Sequence, residues 1–170
     1  MKKLILSVLL CFALGCGNNS QSETDDELGV QTVENAVIYE SQQAKQNWIL
    51  STTQAKFHEN SENAVLINPQ LSFKEGDDTL SIIKGDEGTI SMEQGLIVLK
   101  GNVFGKSISQ NAELRTTLLN YDINERKIWT ERKVEIKRNG VTVTGQGLRA
   151  NGDFSEIEIK NQTTTLPEHE

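Results

Sequence analysis

The chain holds few side chains whose type and spacing could perform catalysis or bind a metal. His58 and His169 are the only histidines, and neither has a second ligand at the spacing of a zinc site. The chain contains no Gly-x-Ser-x-Gly motif and no phosphate-binding loop. The acidic pairs Asp25-Asp26 and Asp77-Asp78 stand among polar and turn-forming residues, where solvated carboxylates are common. We therefore predict no enzyme, no metal ion and no cofactor.

The chemistry that the sequence does suggest is a lipid modification near the N-terminus. Lys2-Lys3 precedes an apolar run over residues 4–14, which is far shorter than the roughly 20 residues of a membrane-spanning helix. The junction Ala13-Leu14-Gly15-Cys16 resembles the lipobox of bacterial lipoproteins. That resemblance implies cleavage before Cys16 and a lipid on its thiol. The alternative is an ordinary secretory signal that happens to contain a cysteine.

The remaining chain divides by composition. We predict a signal peptide over residues 1–15, a lipidated Cys and flexible tether over 16–33, a folded domain over 34–162 and a polar tail over 163–170. Loss of Lys2 and Lys3 with the signal leaves 15 basic residues against 24 acidic ones, so the mature charge is −9. A balance this acidic argues against nucleic acid as a partner.

Alternating apolar and polar residues from about residue 35 onward predict β-strands. Examples are Trp48-Ile49-Leu50, Lys133-Val134-Glu135 and Glu156-Ile157-Glu158. The segment Glu34 to Gln46 has some helical spacing, but we predict a strand there as well. With 36% hydrophobic residues and only 2 prolines, the composition excludes a disordered chain, a collagen and a polytopic membrane protein.

Turn residues separate these segments at short intervals, which is typical of sequential antiparallel hairpins. The strongest signals are Asn139-Gly140 and Asn151-Gly152, because both central residues of a type I′ turn need a positive φ. We also predict turns at Gly76-Asp77-Asp78, Gly85-Asp86, Gln94-Gly95 and Gly105-Lys106. A weak repeat with offsets of about 27 to 33 residues is consistent with a stack of hairpins.

Several segments together resemble the LptC family. They are Leu114 to Asp122, Ile128-Trp129-Thr130, Gly145, Gly147-Leu148 and Ala150, preceded by Trp48-Ile49-Leu50 and Ile97-Val98-Leu99. The resemblance covers about residues 35 to 160. It implies an all-β fold, a folded-over antiparallel sheet described as a half-open β-jelly roll with an apolar interior groove. It also implies a periplasmic role in lipopolysaccharide transport, between the membrane transporter LptBFG and the bridge protein LptA.

The resemblance and the strand alternation together suggest which residues would line a lipopolysaccharide-binding groove. We predict Trp48, Leu50, Phe73, Leu99, Leu118, Val134, Val143 and Ile159. In an ordinary closed sandwich the same residues would form the core. A basic cluster, Arg126-Lys127, Arg132-Lys133 and Lys137-Arg138, is interleaved with glutamates, and we interpret it as a solvated face that leaves the lipid headgroup in water.

The ends of an unclosed sheet invite strand addition by partner proteins. We predict a final strand over Phe154 to Lys160, with Phe154, Ile157 and Ile159 forming the partner edge. The resemblance implies that an LptA-like protein binds this C-terminal edge and LptBFG the N-terminal edge, while the lipid anchor holds the chain to a membrane, the inner membrane of a Gram-negative bacterium.

Three other functions remain open from the sequence. The chain could be an LptA-like bridge protein, since that family shares the fold. It could also be a β-sandwich lipoprotein that binds carbohydrate or mediates adhesion, although aromatic residues make up only 5% of the chain. A β-fold polysaccharide lyase would need a converging set of His, Tyr, Arg or carboxylate side chains, which the sequence does not show.

Overall fold

The structure, a computed structural model, describes residues 29–42, 45–59 and 61–165. It contains twelve β-strands, all of whose pairings are antiparallel, and no helix occurs in these ranges. The strands are β1 (Val30–Gln42), β2 (Lys45–His58), β3 (Asn63–Ile67), β4 (Gln70–Glu75), β5 (Asp78–Lys84), β6 (Glu87–Ser91), β7 (Leu96–Ser107), β8 (Ala112–Asp122), β9 (Lys127–Arg138), β10 (Val141–Asn151), β11 (Ile157–Ile159) and β12 (Thr163–Thr165). The predicted all-β class is confirmed.

The sheet extends beyond both predicted limits of the domain. β1 begins at Val30, inside the segment assigned to the tether, and β12 lies inside the segment assigned to the tail. Both strands are held by backbone hydrogen bonds to a neighbour, β1 to β2 and β12 to β10. Such pairing needs no apolar side chains, so the polar composition of β12 hid that strand, whereas the first residues of β1 were assigned to the tether with the polar residues that precede them. The predicted signal peptide and Cys16 lie outside the described residues.

The long strands β2 and β7 organise the sheet. Along one of its edges, each of them pairs with two short strands in succession. The first half of β2 pairs with β4 and its second half with β3. The first half of β7 pairs with β6 and its second half with β5. Since β3 also pairs with β6 and β4 with β5, the sheet divides into two halves between β2 and β7.

The division continues across the whole sheet as a line of bends, here called the fold line. It passes through residues with positive φ at Asn35 in β1, Asn68 between β3 and β4, Gly101 in β7, Gly147 in β10 and Asn161 between β11 and β12. Register shifts mark the same line where β7 pairs with β8, β8 with β9 and β9 with β10. Bulges and positive φ values bend strands, so the single sheet folds over on itself.

Folding along this line produces two layers. The first layer contains β4, β5 and β12 with the adjoining halves of the long strands, and the second contains β3, β6 and β11 with the other halves. Side chains of the two layers meet in the core: the rings of Phe73 and Tyr121 lie 4.9 Å apart, centroid to centroid, in an edge-on arrangement. The predicted folded-over sheet is thus confirmed.

The fold line is held by hydrogen bonds between the bends. The Asn68 amide donates to the Asp86 carbonyl over 2.8 Å, and the Asp86 amide donates to the Lys100 carbonyl over 2.9 Å. The Asp86 carboxylate accepts from the backbone amide and the side-chain amide of Asn102, at 3.0 and 2.8 Å. Asp86 therefore satisfies the backbone of β7 where that strand leaves one layer for the other.

Some predicted turns are confirmed and two are wrong. Asn139-Gly140 has positive φ at both residues, as a type I′ hairpin requires. Gly105-Lys106 lies inside β7 instead of in a turn, and its glycine allows another ring to approach the strand. Asn151-Gly152 is not a two-residue turn either, because Asn151 ends β10 and an irregular segment follows up to Glu156.

The predicted final strand is shorter than expected, and Phe154 does not belong to it. Only Ile157–Ile159 forms β11. Phe154 lies in the preceding turn with φ 63° and is almost completely buried, so it does not stand on a sheet edge. At a bulky residue such a φ interrupts an extended backbone.

We predict that Gly101→Ala destabilises the fold more than Gly140→Ala does. Both glycines have positive φ, 92° and 81°, and an L side chain there costs about 1–2 kcal/mol. A Cβ at Gly101 would also overlap the Asp86 carboxyl group, adding about 1–3 kcal/mol, whereas at Gly140 it would meet no atom within 4 Å. Equilibrium urea unfolding of both variants measures the difference. Equal losses would show that the fold line tolerates a Cβ.

Candidate functional site

A continuous row of mostly apolar residues crosses the inner face of the first layer. Residues directly opposite on paired strands share a face of the sheet, so the register defines this row. Its members, in order across the strands, are Leu50, Leu71, Ile83, Gly105, Leu114, Ile136 and Val143. The side chains of Leu50, Leu71, Ile83 and Leu114 are fully buried, Ile136 is buried and Val143 is half-buried. The row therefore emerges from the core at β10.

A second row crosses the inner face of the second layer in the same way. It consists of Phe57, Ala64, Ile90, Ile97, Tyr121, Ile128, Ala150 and Ile157. The middle of this row is buried, whereas Phe57 is 38% exposed at one end and Ile157 is half-buried at the other. The two rows together form an apolar interior that runs the length of the sheet.

The middle of this interior is packed with aromatic side chains. Tyr121 meets Phe73 at 4.9 Å and Trp48 at 6.3 Å, centroid to centroid. The Trp48 indole N–H donates to the Glu40 carboxylate over 3.1 Å. Burial raises the pKa of the Tyr121 phenol, and the nearby negative charge of Glu40 raises it further, so this phenol stays neutral. The central part is thus a solid core.

The interior opens at the end formed by β9 to β12. A cavity of about 370 Å³ lies there between the layers. Its lining residues are Ile136, Arg138, Asn139, Val141, Val143, Ile157, Ile159 and Gln162. Five of these are aliphatic and come from both layers, while the polar ones adjoin the β9–β10 turn and the segment between β11 and β12. The cavity continues the two apolar rows outward.

The opposite end of the interior, at β1 and β2, also leaves apolar side chains uncovered. Val33 lies opposite the fully buried Ala55, so it faces the same side of the sheet, yet it is 45% exposed. Phe57 ends the row of the second layer and is 38% exposed. Both ends of the sheet therefore present inward-facing apolar surface that the described part of the chain leaves uncovered.

The structure distributes the predicted groove residues over the core and the open cavity. Trp48, Leu50, Phe73, Leu99 and Val134 are buried in the core. Val143 and Ile159 line the cavity. Leu118 is only half-buried, because the register shift in β8 places Leu119 in the interior beside Leu99. A contact of any of these residues with lipid stays a prediction.

The cavity also includes residues that the sequence analysis did not assign to it. Ile136 and Val141 carry the same alternation as the predicted set, so their pattern could have identified them. Arg138 was assigned to a solvated face, but it lines the cavity and donates to the Gln110 side-chain carbonyl over 2.7 Å. The position of Arg138 at the cavity depends on where the sheet folds over. The alternation of apolar and polar residues does not reveal the position of the fold line.

Four other residues of the basic cluster lie outside the interior. Arg132, Lys133 and Lys137 are exposed. Lys127 pairs with the Glu156 carboxylate at 3.1 Å, and this hydrogen bond and charge lower the pKa of that carboxyl. The basic cluster is therefore divided between the cavity lining, an ion pair and exposed positions.

A cluster of metal-binding side chains is not found where the structure is described. No group of three or more His, Cys, Asp or Glu side chains in residues 29–42, 45–59 and 61–165 converges as metal ligands would. Across the same ranges, no helix has the length and apolarity needed to cross a bilayer. The exposed aromatic residues Tyr39, Phe57 and Trp129 stand on three different strands, and Trp129 lies far from the other two in strand order.

The described residues thus form a folded-over antiparallel sheet whose apolar interior opens into a cavity at one end. The sequence matches the profile described as lipopolysaccharide-assembly, LptC-related, over residues 4–168, and the chain belongs to this family. The family expected from the sequence is confirmed, and with it a role in lipopolysaccharide assembly.

The fold also has a counterpart among solved structures. The crystal structure of LptH, the LptA homologous periplasmic component of the lipopolysaccharide transport device of Pseudomonas aeruginosa, superposes with a TM-score of 0.52. The match covers 82% of this chain and 95% of that one, at 6% sequence identity, so it establishes a shared fold. A search of curated proteins finds no match.

Proposed function

We propose that this protein is a periplasmic lipopolysaccharide carrier that holds acyl chains in its interior and passes them along its sheet. The observation that supports this most directly is the pair of apolar rows that emerge into the cavity between β9 and β12. A carrier needs an apolar site that exchanges its ligand at an open end, and the cavity has both properties. Neither this role nor the interior requires catalytic chemistry, so we propose a carrier and not an enzyme.

The size and lining of the cavity suit part of an acyl chain. Ligand cavities in proteins are usually about 300–1,000 Å³, and this one is about 370 Å³. Each buried CH₂ group contributes about 0.8 kcal/mol, so a few of them supply useful affinity without a polar contact. The aliphatic residues from both layers supply such surroundings on two sides of a chain.

The charge distribution favours leaving the headgroup outside. The mature chain carries a net charge of −9, which opposes the phosphates of lipopolysaccharide. Arg138 is the single cationic side chain among the residues that line the cavity. We propose that acyl chains enter between the layers while the sugars and most phosphates remain in water.

The two ends of the sheet are where we place the partners. β1, with 13 residues, pairs only with β2 in the described structure, and its outer edge is free for the transporter LptBFG. β11 and β12 likewise pair only with β10, and their outer edges are free for an LptA-like protein. Partner strands added there would extend the sheet and both apolar rows with it. We propose that this continuity moves the lipid.

An LptA-like bridge role is the second candidate, because the superposed LptH structure belongs to an LptA homologue. The two roles differ in their attachment to a membrane. A bridge component has no need of an anchor, whereas a lipid on Cys16 would hold this chain at the membrane where lipid is loaded.

We predict that Cys16 carries a diacylglycerol group in cells. The apolar run over residues 4–14 and the Ala13-Leu14-Gly15-Cys16 junction support this. Mass spectrometry of the protein from the membrane fraction should find a mature chain that begins at a modified Cys16, and Cys16→Ala should abolish the modification. A soluble chain with an unmodified Cys16 would favour the bridge role.

Photo-crosslinking tests whether the cavity binds lipopolysaccharide. A benzophenone amino acid at Val143 points into the cavity, and we expect ultraviolet light to link it to lipopolysaccharide. The matched control is Lys137, an exposed residue on the neighbouring strand, opposite Thr142. We expect little capture there because its side chain points away from the interior. Equal capture at both positions would refute a binding site between the layers.

A proline at Ile157 tests the C-terminal edge. The Asn151 amide donates to the Glu156 carbonyl and the Lys160 amide to the Gly147 carbonyl, both over 3.1 Å. Because antiparallel hydrogen bonds alternate along a strand, the Ile157 N–H faces the free edge. Ile157→Pro removes this outward donor, and we expect at least a ten-fold loss of affinity for the LptA-like partner, about 1.4 kcal/mol, in a titration.

Two comparisons make that result specific. Deletion of residues 166–170 leaves all twelve strands intact and should keep partner binding unchanged. Circular dichroism and the Val143 crosslink should show that Ile157→Pro still folds and binds lipid. Unchanged partner affinity in a folded Ile157→Pro variant would place the junction elsewhere.

A further inference from the structure

We propose that Phe154 is the inner stop of the cavity and that it limits how far an acyl chain can enter. This inference rests on the proposed function, because it concerns the depth of the site in which the acyl chain would lie. It assigns a specificity-determining role to a residue of the turn between β10 and β11, here called the stop turn (residues 152–156).

The contact with Gly105 places the Phe154 ring inward of the cavity along the first-layer row. Ile136 and Val143 line the cavity on the first layer, and the same row continues inward to Leu114 and Gly105. The Phe154 ring covers this continuation, since a Cβ built on Gly105 would lie only 2.8 Å from the ring. Neighbouring strands are about 4.8 Å apart, so the ring stands about 10 Å from Ile136 along the row.

The stop turn is fixed to the first layer by buried hydrogen bonds. The Ser81 hydroxyl donates to the Gly152 carbonyl over 2.5 Å, and the Ser107 hydroxyl donates to the Asp153 carbonyl over 2.7 Å. Both serines are completely buried, and they sit opposite each other on β5 and β7. Gly152 lies so close to the Phe73 ring that a Cβ there would overlap it. The turn is therefore bonded across the gap between the layers.

The backbone conformation at Phe154 disfavours a bulky residue, which indicates that the aromatic ring itself has a role there. The φ of 63° is unfavourable for a bulky residue, and glycine or asparagine would fit this backbone better. The side chain is nevertheless an aromatic ring with 1% exposure. Strain of this kind persists where the surroundings fix the residue, and it clusters at functional positions. Here the ring covers the apolar row at Gly105, two strands inward of the cavity-lining residue Ile136.

A chain-length series measures the depth of the cavity. The probes are saturated fatty acids of about 8 to 16 carbons, because each further CH₂ raises affinity about four-fold while it is buried. Isothermal titration calorimetry of the wild type should show this gain up to a limiting length and no gain beyond it. Phe154→Gly removes the ring and relieves the positive φ, so the gain should continue for at least two more carbons, about 16-fold in affinity.

Two further variants control for folding and for the loss of an aromatic ring. Phe154→Leu keeps an apolar side chain in the core and replaces Phe154→Gly in the test if that variant does not fold. It should move the limiting length in the same direction by fewer carbons. Phe104→Ala removes a phenylalanine that stacks under the Arg115 guanidinium, 4.9 Å away, on the outer face of β7. We expect its limiting length to equal that of the wild type.

The outcomes separate this inference from the function on which it rests. If folded Phe154 variants keep the limit of the wild type, or if Phe104→Ala moves it equally, then Phe154 is not the stop, although the cavity still binds acyl chains. If neither the wild type nor any variant binds a fatty acid, the proposed acyl site fails and the inference fails with it.

Discussion

An antiparallel sheet with one apolar face must cover that face, and in this chain the cover is the sheet itself. The long strands β2, β7, β8, β9 and β10 cross the fold line, so each contributes one half to each layer. The bends depend on local devices such as the φ of 92° at Gly101 and the Asp86 carboxylate that binds Asn102. Without them the rows from Leu50 to Val143 and from Phe57 to Ile157 would face water. The core, the cavity and the free edges all follow from this one bend.

The same constraint explains why the interior stays open at its ends. A strand in the middle of the sheet has neighbours on both sides and another layer opposite, whereas the terminal strands lack one neighbour. Val33 and Phe57 at one end and Val143, Ile157 and Ile159 at the other are accordingly exposed or half-buried. An apolar row and an unpaired backbone edge thus coincide at each end. A partner strand would satisfy both at once, as the proposed function requires.

The turn around Phe154 ties one layer to the other. The hydroxyls of Ser81 and Ser107 donate to its backbone carbonyls, and the Phe154 ring packs over Gly105 of the first layer. The Tyr121, Phe73 and Trp48 rings pack in the middle of the interior, and the Phe73 ring adjoins Gly152 of the same turn. In the proposed function, a lipid that travels the full length of the interior would have to displace such contacts.

The sequence by itself determined the strand class, the Asn139-Gly140 hairpin, most of the buried positions and the family, because period-two alternation and turn chemistry are local. It misplaced the Gly105-Lys106 turn, the start of β1 and the strand β12. It also assigned Leu118 to the interior and Phe154 to a sheet edge. Those features depend on which distant strand lies alongside or opposite. The bulge that exchanges Leu118 for Leu119 is set by pairing with β7 and β9, and Phe154 is buried because Gly105 leaves room for its ring. Only the tertiary structure decided where the fold line runs, and with it which apolar residues close the core and which line an open cavity.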